Sequence, residues 1–168
     1  MSEEEKRKHR ACFTGHRPEK LTITEVEAKA WLREAVMTAI DDGHTSFITG
    51  MARGVDIWAA EVVLSLRDTL KFTTAGQEIK LICASPYDGF EKSWSREWQA
   101  TYWHIMNNCD LKKFVCPHYS RGCFQIRNKW MVDHSDIVIG IFNGTPGGTK
   151  NTIDYAIQQG LEVRYIEG

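Results

Sequence analysis

The chain has 168 residues, with 21 basic against 22 acidic side chains and five cysteines. A chain of this length can bury roughly 70% of the surface its unfolded form exposes, so neither a disulfide nor a metal is needed to hold it together. The balanced charge excludes a strong overall field toward a polyanion or a membrane surface, and no apolar run approaches the roughly 18 residues of a spanning helix.

The segment Met1 to Arg10 is charged and lacks the apolar stretch of a signal peptide, so residues 1–9 are expected to form a tail, residues 10–168 a single domain, and the protein to be cytosolic. Arg10 to Thr14 is a short apolar strand running into Gly15-His16-Arg17-Pro18, where Pro18 biases Arg17 away from helix and holds the loop open. Thr24 is placed to cap a helix in which Val26, Ala30, Trp31, Ala35 and Ile40 recur near helical spacing, and Gly43 ends it. Phe47 to Thr49 reads as a second strand, followed by Gly50-Met51-Ala52-Arg53-Gly54-Val55-Asp56 and a helix reaching Leu70.

Thr73 to Gln77 is a polar loop and Ile79 to Ala84 a third strand, which Ser85 leaves. Phe90, Trp94, Trp98, Tyr102 and Ile105 then mark one face of an aromatic helix, either packed on a sheet or serving as a stacking wall for a base. Leu111 to Val115 is a fourth strand, Phe124 to His134 a helix, and Asp136 to Phe142 a continuous apolar strand of the kind found in sheets covered on both faces. Asn143 to Thr149 forms another glycine-rich turn before a helix from Asn151 to Gln159, a stop at Gly160, and a last strand from Leu161 to Ile166. Strands alternating with helices predict an α/β fold, a Rossmann-like, doubly wound and mainly parallel sheet with helices on both faces, which binds ligands beyond the carboxyl ends of its strands.

The three glycine turns, after residues 14, 49 and 142, fall on that edge. Gly50 and Gly54 would let the chain turn and approach a ligand closely, and the first amides of the following helix would face an anion. With Arg17, Arg53 and Arg127, whose guanidinium forks suit phosphate, the turns describe a pocket for a phosphorylated small molecule. Asp56 would repel a phosphate set directly against it, so it is expected to cap backbone amides, pair with an arginine or accept from ribose hydroxyls. The expected binding residues are Gly15, His16, Arg17, Gly50, Arg53, Gly54, Asp56, Ser85, Arg127, Asn128, Gly147, Gly148 and Thr149. Cys12 and Cys83 fall inside strands, and Cys109, Cys116 and Cys123, with His104 and His118 nearby, match no paired zinc spacing; no metal and no cofactor is implied.

Thr14-Gly15-His16-Arg17-Pro18, the Thr49 to Asp56 turn, Arg127 to Asp136, and Gly147-Gly148-Thr149 with Tyr155-Ala156 together resemble the YpsA/YoqJ-like family of the SLOG superfamily, in order over almost the whole chain. The resemblance implies a nucleotide-binding Rossmann-like domain related to the LOG phosphoribohydrolases and to the DNA-processing protein DprA. In LOG enzymes an arginine in an R-K-x-x-M segment and a glutamate in a P-G-G-x-G-T-x-x-E segment serve N-glycosidic hydrolysis of nucleoside 5′-monophosphates. Arg127, with Met131 four residues on, is similar to the first; Pro146 to Asp154 departs from the second and offers only Asp154 as a carboxylate. DprA resembles the chain almost verbatim at 49–56, but single-strand binding also needs a basic track with stacking platforms, for which Lys112, Lys113, Arg121, Arg127 and Lys129 are the candidates.

The expected function is therefore sensing or sequestering of a nucleotide or nucleotide-derived ligand. A LOG-like N-glycosidase using Arg127 and Asp154 comes second and single-stranded DNA binding third. A small molecule is the expected partner; nucleic acid is admitted without being favoured, a homodimer is left open, and a membrane is not expected.

Overall fold

In the computed structural model, which describes residues 1–73 and 78–168, the expected alternation of strands and helices is realised. The elements are α1 (Glu3–Arg7), β1 (Arg10–Gly15), α2 (Glu25–Asp41), β2 (Ser46–Thr49), α3 (Val55–Thr73), β3 (Lys80–Ser85), α4 (Arg96–Asn108), β4 (Leu111–Phe114), α5 (Cys123–Asp133), β5 (Ile137–Ile141), α6 (Gly148–Gln158) and β6 (Glu162–Ile166). The strands form one parallel sheet in the order β4-β3-β2-β1-β5-β6. From β1 the chain winds outward through β2, β3 and β4, then returns to lay β5 on the other flank of β1, so the winding direction reverses between β1 and β5. Loops leaving neighbouring strands diverge at such a point and open a crevice.

Both faces of the sheet are covered. Phe13, Phe47, Leu81 and Ile139 meet Leu32, Trp58 and Tyr102 of α2, α3 and α4 on one face. Cys12, Ile48 and Val138 meet Met131, Val132 and Ala156 of α5 and α6 on the other. Consecutive residues of β1 therefore serve opposite cores, which is why that segment reads as an unbroken apolar run.

Several expectations shift. The supposed tail carries α1, closed by a capping box between Ser2 and Glu5 and tied to β1 by Arg10 and Glu3 at 2.6 Å. Thr24 caps α2, accepting from the Glu27 amide at 3.1 Å, but the buried stripe is Ala28, Leu32, Val36, Ala39 and Ile40, leaving Val26 and Ala30 exposed. The aromatic segment becomes helical only at Arg96, under a Ser95 cap, so Phe90 and Trp94 belong to the preceding turns. Strand β4 is exposed along its whole length. Helix α6 starts at Gly148, three residues earlier than expected, because the third glycine turn is itself the helix start. Of the polar loop expected at 73–77, residues 74–77 lie outside the described residues.

Candidate functional site

A cavity of about 290 Å³ opens at the carboxyl ends of β1 and β5, where the winding reverses. Of the expected binding residues, Gly15, His16, Arg17, Asp56, Arg127, Asn128, Gly148 and Thr149 line it, while Gly50, Arg53, Gly54, Ser85 and Gly147 do not. Phe13, Lys20, Phe90, Phe124 and Met131 also form its walls. Sequence reasoning missed these: Lys20 lies just beyond the loop motif, and nothing local marks Phe124 as facing the same space as Phe90.

Gly15, Gly50 and Gly54 make room for other parts of the protein. A Cβ on Gly15 would stand 2.4 Å from that of Val55, so this glycine admits the start of α3. One on Gly50 would meet the Asp56 carboxylate at 2.8 Å and the Arg127 guanidinium carbon at 2.9 Å. Gly54, at φ +93°, would place its Cβ 2.6 Å from the His16 carbonyl oxygen. The space these glycines free is therefore filled by protein.

The start of α3 is occupied in the same way. The Val55 amide donates to the His16 carbonyl at 3.4 Å, the Ala52 amide donates to the Asp56 carboxylate at 3.3 Å, and the Thr49 hydroxyl donates to the Asp56 carbonyl at 2.7 Å. Between them Met51 is fully buried and holds a left-handed φ of 63°, a conformation that costs a non-glycine residue on the order of 1–2 kcal/mol. At this helix start, where an anion was expected, the Val55 amide already has a protein acceptor. No side chain caps α6, and its first residues, Gly148 and Thr149, line the cavity.

Arg127 projects from α5 and is buried. Its Nη1 donates to the Gly50 carbonyl and, at 3.5 Å, to that of Ala84, while Nε donates to Asn128 Oδ1 at 2.8 Å. Among the described residues Nη2 has no protein acceptor, although the side chain forms part of the cavity wall. Asp56 faces Arg127 across Gly50. Burial pushes the Asp56 carboxyl up from 3.8 to about 6, against the opposing pull of Arg127 and the Ala52 amide. Burial likewise pulls Arg127 below its ordinary value, with Asp56 acting the other way.

His16 is held below the usual imidazole range by burial and then by the charge of Lys20. Its Nε2 accepts from the Asn143 amide at 3.2 Å, a pattern that assigns the proton of the neutral ring to Nδ1. Lys20 Nζ donates to the Pro146 carbonyl at 2.7 Å, and the Asn143 amide group donates to the Lys20 carbonyl at 2.9 Å. The loops after β1 and β5 are thereby tied together above the crevice.

The remaining expected residues lie apart. Ser85 is fully buried and shares a 2.9 Å hydrogen bond with the Tyr102 hydroxyl. Arg53 pairs with Glu19 at 3.0 Å outside the cavity. Gly147, at φ +144°, serves as the residue before α6. Asp154, the carboxylate expected for a hydrolase, is exposed on α6 and paired with Lys150 at 2.6 Å, so Asp56 is the carboxylate that reaches the cavity.

Comparison with known proteins agrees with this architecture. The model of the YpsA family, described as the YspA SLOG family, matches residues 11–166. The SPbeta prophage-derived protein YoqJ of Bacillus subtilis is 31% identical over 142 residues, covering 74% of this chain and 80% of its own. A UPF0398 protein of Staphylococcus haemolyticus is 26% identical over 144 residues, covering 81% of this chain and 74% of its own. One of Bacillus cereus is 25% identical over 162 residues, covering 89% and 83%. Among solved structures, DNA processing protein A (DprA) from Streptococcus pneumoniae superposes with a TM-score of 0.65 at 15% identity, over 96% of this chain and 51% of that one. DNA processing protein A from Helicobacter pylori, described by its single-stranded DNA binding mode, gives 0.61 at 18% identity, over 96% and 66%. At these identities the likeness is one of fold, and the chain spans about half and about two thirds of the two DprA proteins. Among the described residues no helix is long and apolar enough to cross a membrane.

Proposed function

The chain belongs to the YspA SLOG family, and from that premise we propose that it binds a nucleotide or nucleotide-derived small molecule in the cavity between the loops of β1, β5 and α5. The observation that carries this reading is the charge of the cavity wall: Arg17, Lys20 and Arg127 stand against Asp56, whose burial favours its neutral form. An anionic group is therefore attracted, and the uncapped start of α6 adds amides pointing the same way, worth roughly 0.3–1 kcal/mol. Phe90 and Phe124 supply an apolar wall suited to a base. A volume of about 290 Å³ lies at the lower end of the roughly 300–1,000 Å³ of small-molecule pockets, a scale that fits one nucleotide unit.

Calorimetry with the four ribonucleoside 5′-monophosphates, with native mass spectrometry of the purified protein for any retained ligand, tests the reading. The expected result is saturable binding of at least one nucleotide, weakened in Arg127→Ala. Absence of binding by all four, with no retained ligand, overturns it.

Single-stranded DNA is the second reading, favoured by the half-exposed aromatic surface beside Arg17 and Arg53. The nearly balanced charge of the whole chain weighs against it, because such binding draws much of its strength from phosphate neutralisation. The hydrolase reading loses its expected carboxylate with the exposed position of Asp154.

A further inference from the structure

Next to the inner cavity lies a wider cleft of about 650 Å³, more than twice the inner volume. Arg17, Phe90 and Phe124 line both spaces, so the two share a wall; the outer cleft adds Arg53, Trp94 and Trp98. Its rings are only partly covered by protein. Phe124 is 41% exposed, and Phe90, Trp94 and Trp98 are half-buried. Phe90, Trp94 and Phe124 form one connected group, with Phe90 edge-on to Trp94 at 5.0 Å between centroids and tilted against Phe124 at 5.6 Å. Surface this aromatic gains by being stacked upon, and every base offers a face for that purpose.

Arg17 stands where the two spaces meet, and Arg53 lines the outer one. Among the described residues the Arg17 side chain makes no hydrogen bond to protein, although it is close enough to lower the Glu19 carboxyl. Arg53 is engaged by Glu19 at the rim, an exposed pair of the kind that yields readily to a stronger acceptor. The sequence of features along the shared wall is thus inner cavity, cation, aromatic cleft.

We infer that the outer cleft is a second subsite of the same binding site, taking the second ring system of a dinucleotide whose bridging phosphates lie against Arg17. The inference rests on the nucleotide reading of the inner cavity. A mononucleotide seated there leaves the Trp94 and Trp98 surface bare; two nucleosides joined through phosphate cover it and place their bridge beside the cation common to both spaces.

The test compares the affinities of the four nucleoside 5′-monophosphates, the corresponding symmetric dinucleoside diphosphates and a short oligothymidylate for the wild type, Ser93→Trp and Arg53→Ala. Ser93 is exposed and lines the outer cleft alone, so the bulky replacement fills that cleft without touching the inner one. A dinucleotide is expected to bind the wild type on the order of tenfold tighter than its mononucleotide. Ser93→Trp removes that advantage while leaving the mononucleotide affinity in place, Arg53→Ala reduces the advantage, and tryptophan fluorescence responds to the dinucleotide more strongly than to the mononucleotide. Equal affinities of the two in the wild type overturn the second subsite and leave the inner one standing. Tighter binding of the oligothymidylate than of any dinucleotide overturns it in favour of a polynucleotide, and failure of every nucleotide to bind overturns the inner reading and this one together.

Discussion

Asp56 keeps a carboxyl in a place where burial opposes its charge, and that has a consequence for stability. With a folded-state value of about 6 against an ordinary 3.8, the group binds its proton more tightly folded than unfolded. Stability therefore falls as pH rises from about 4 to about 6 and is level above that, by roughly 3 kcal/mol at full effect. Urea unfolding midpoints across this window should drop for the wild type relative to Asp56→Asn, whose amide can still accept from the Ala52 N–H; parallel curves would contradict the assigned environment. Arg127 is the complementary case, a buried cation that both braces the Gly50 turn and faces the cavity. Arg127→Ala should weaken nucleotide binding by about 1.5–3 kcal/mol, the scale of a charged hydrogen bond, measured by calorimetry. It should also lower the melting temperature, since the Gly50 carbonyl loses its partner. The pair could be suspected from the sequence only as two separate motif residues; their meeting across Gly50, at a separation of 77 positions from Gly50 to Arg127, is a product of the fold.

At the level of elements, the strand-to-helix turns were legible and their purpose was not. Thr24, Gly43 and the apolar run of β5 announced themselves through capping chemistry, a left-handed stop and the two-sided burial of a central parallel strand. Glycine, however, signals only that a side chain is unwelcome, and the neighbour that excludes it lies far along the chain: Val55 for Gly15, and the His16 carbonyl for Gly54. Gly54→Val should therefore unfold the protein or lower its melting temperature sharply, combining a forbidden φ with a backbone collision, instead of leaving a folded chain with an obstructed pocket. Circular dichroism melting decides between these outcomes. The adjoining Met51 answers the opposite way: Met51→Gly relieves about 1–2 kcal/mol of backbone strain but gives up the burial of a full side chain, worth roughly 1.5–3 kcal/mol. A net loss of stability is expected in chemical denaturation. The buried stripe of α2 differs from the expected one because Val26 and Ala30 are apolar without being inward: Val26 sits in the first turn, and single exposed apolar side chains cost little.

For the molecule as a whole, the alternation of elements was enough to give a doubly wound sheet, and the topology then dictates where a crevice opens. What could not be read in advance was that Lys20, Phe90 and Phe124 join that crevice, because the three come from separate parts of the chain. The same distribution makes Asp154 a control: Asp154→Asn, out on the solvent side of α6, should leave nucleotide affinity unchanged and stability within about 0.5 kcal/mol. A clear loss of affinity in that variant would return the helix face to consideration. The hydrogen bonds that join His16 to Asn143 and Lys20 to Pro146 have a kinetic meaning as well. A mouth already fastened to itself has few rearrangements to make when a ligand arrives. Stopped-flow mixing should then show a single association phase whose rate rises linearly with nucleotide concentration, with no plateau from a slower closing step; loosening the fastening with Lys20→Met, which removes the bond to the Pro146 carbonyl, would introduce one.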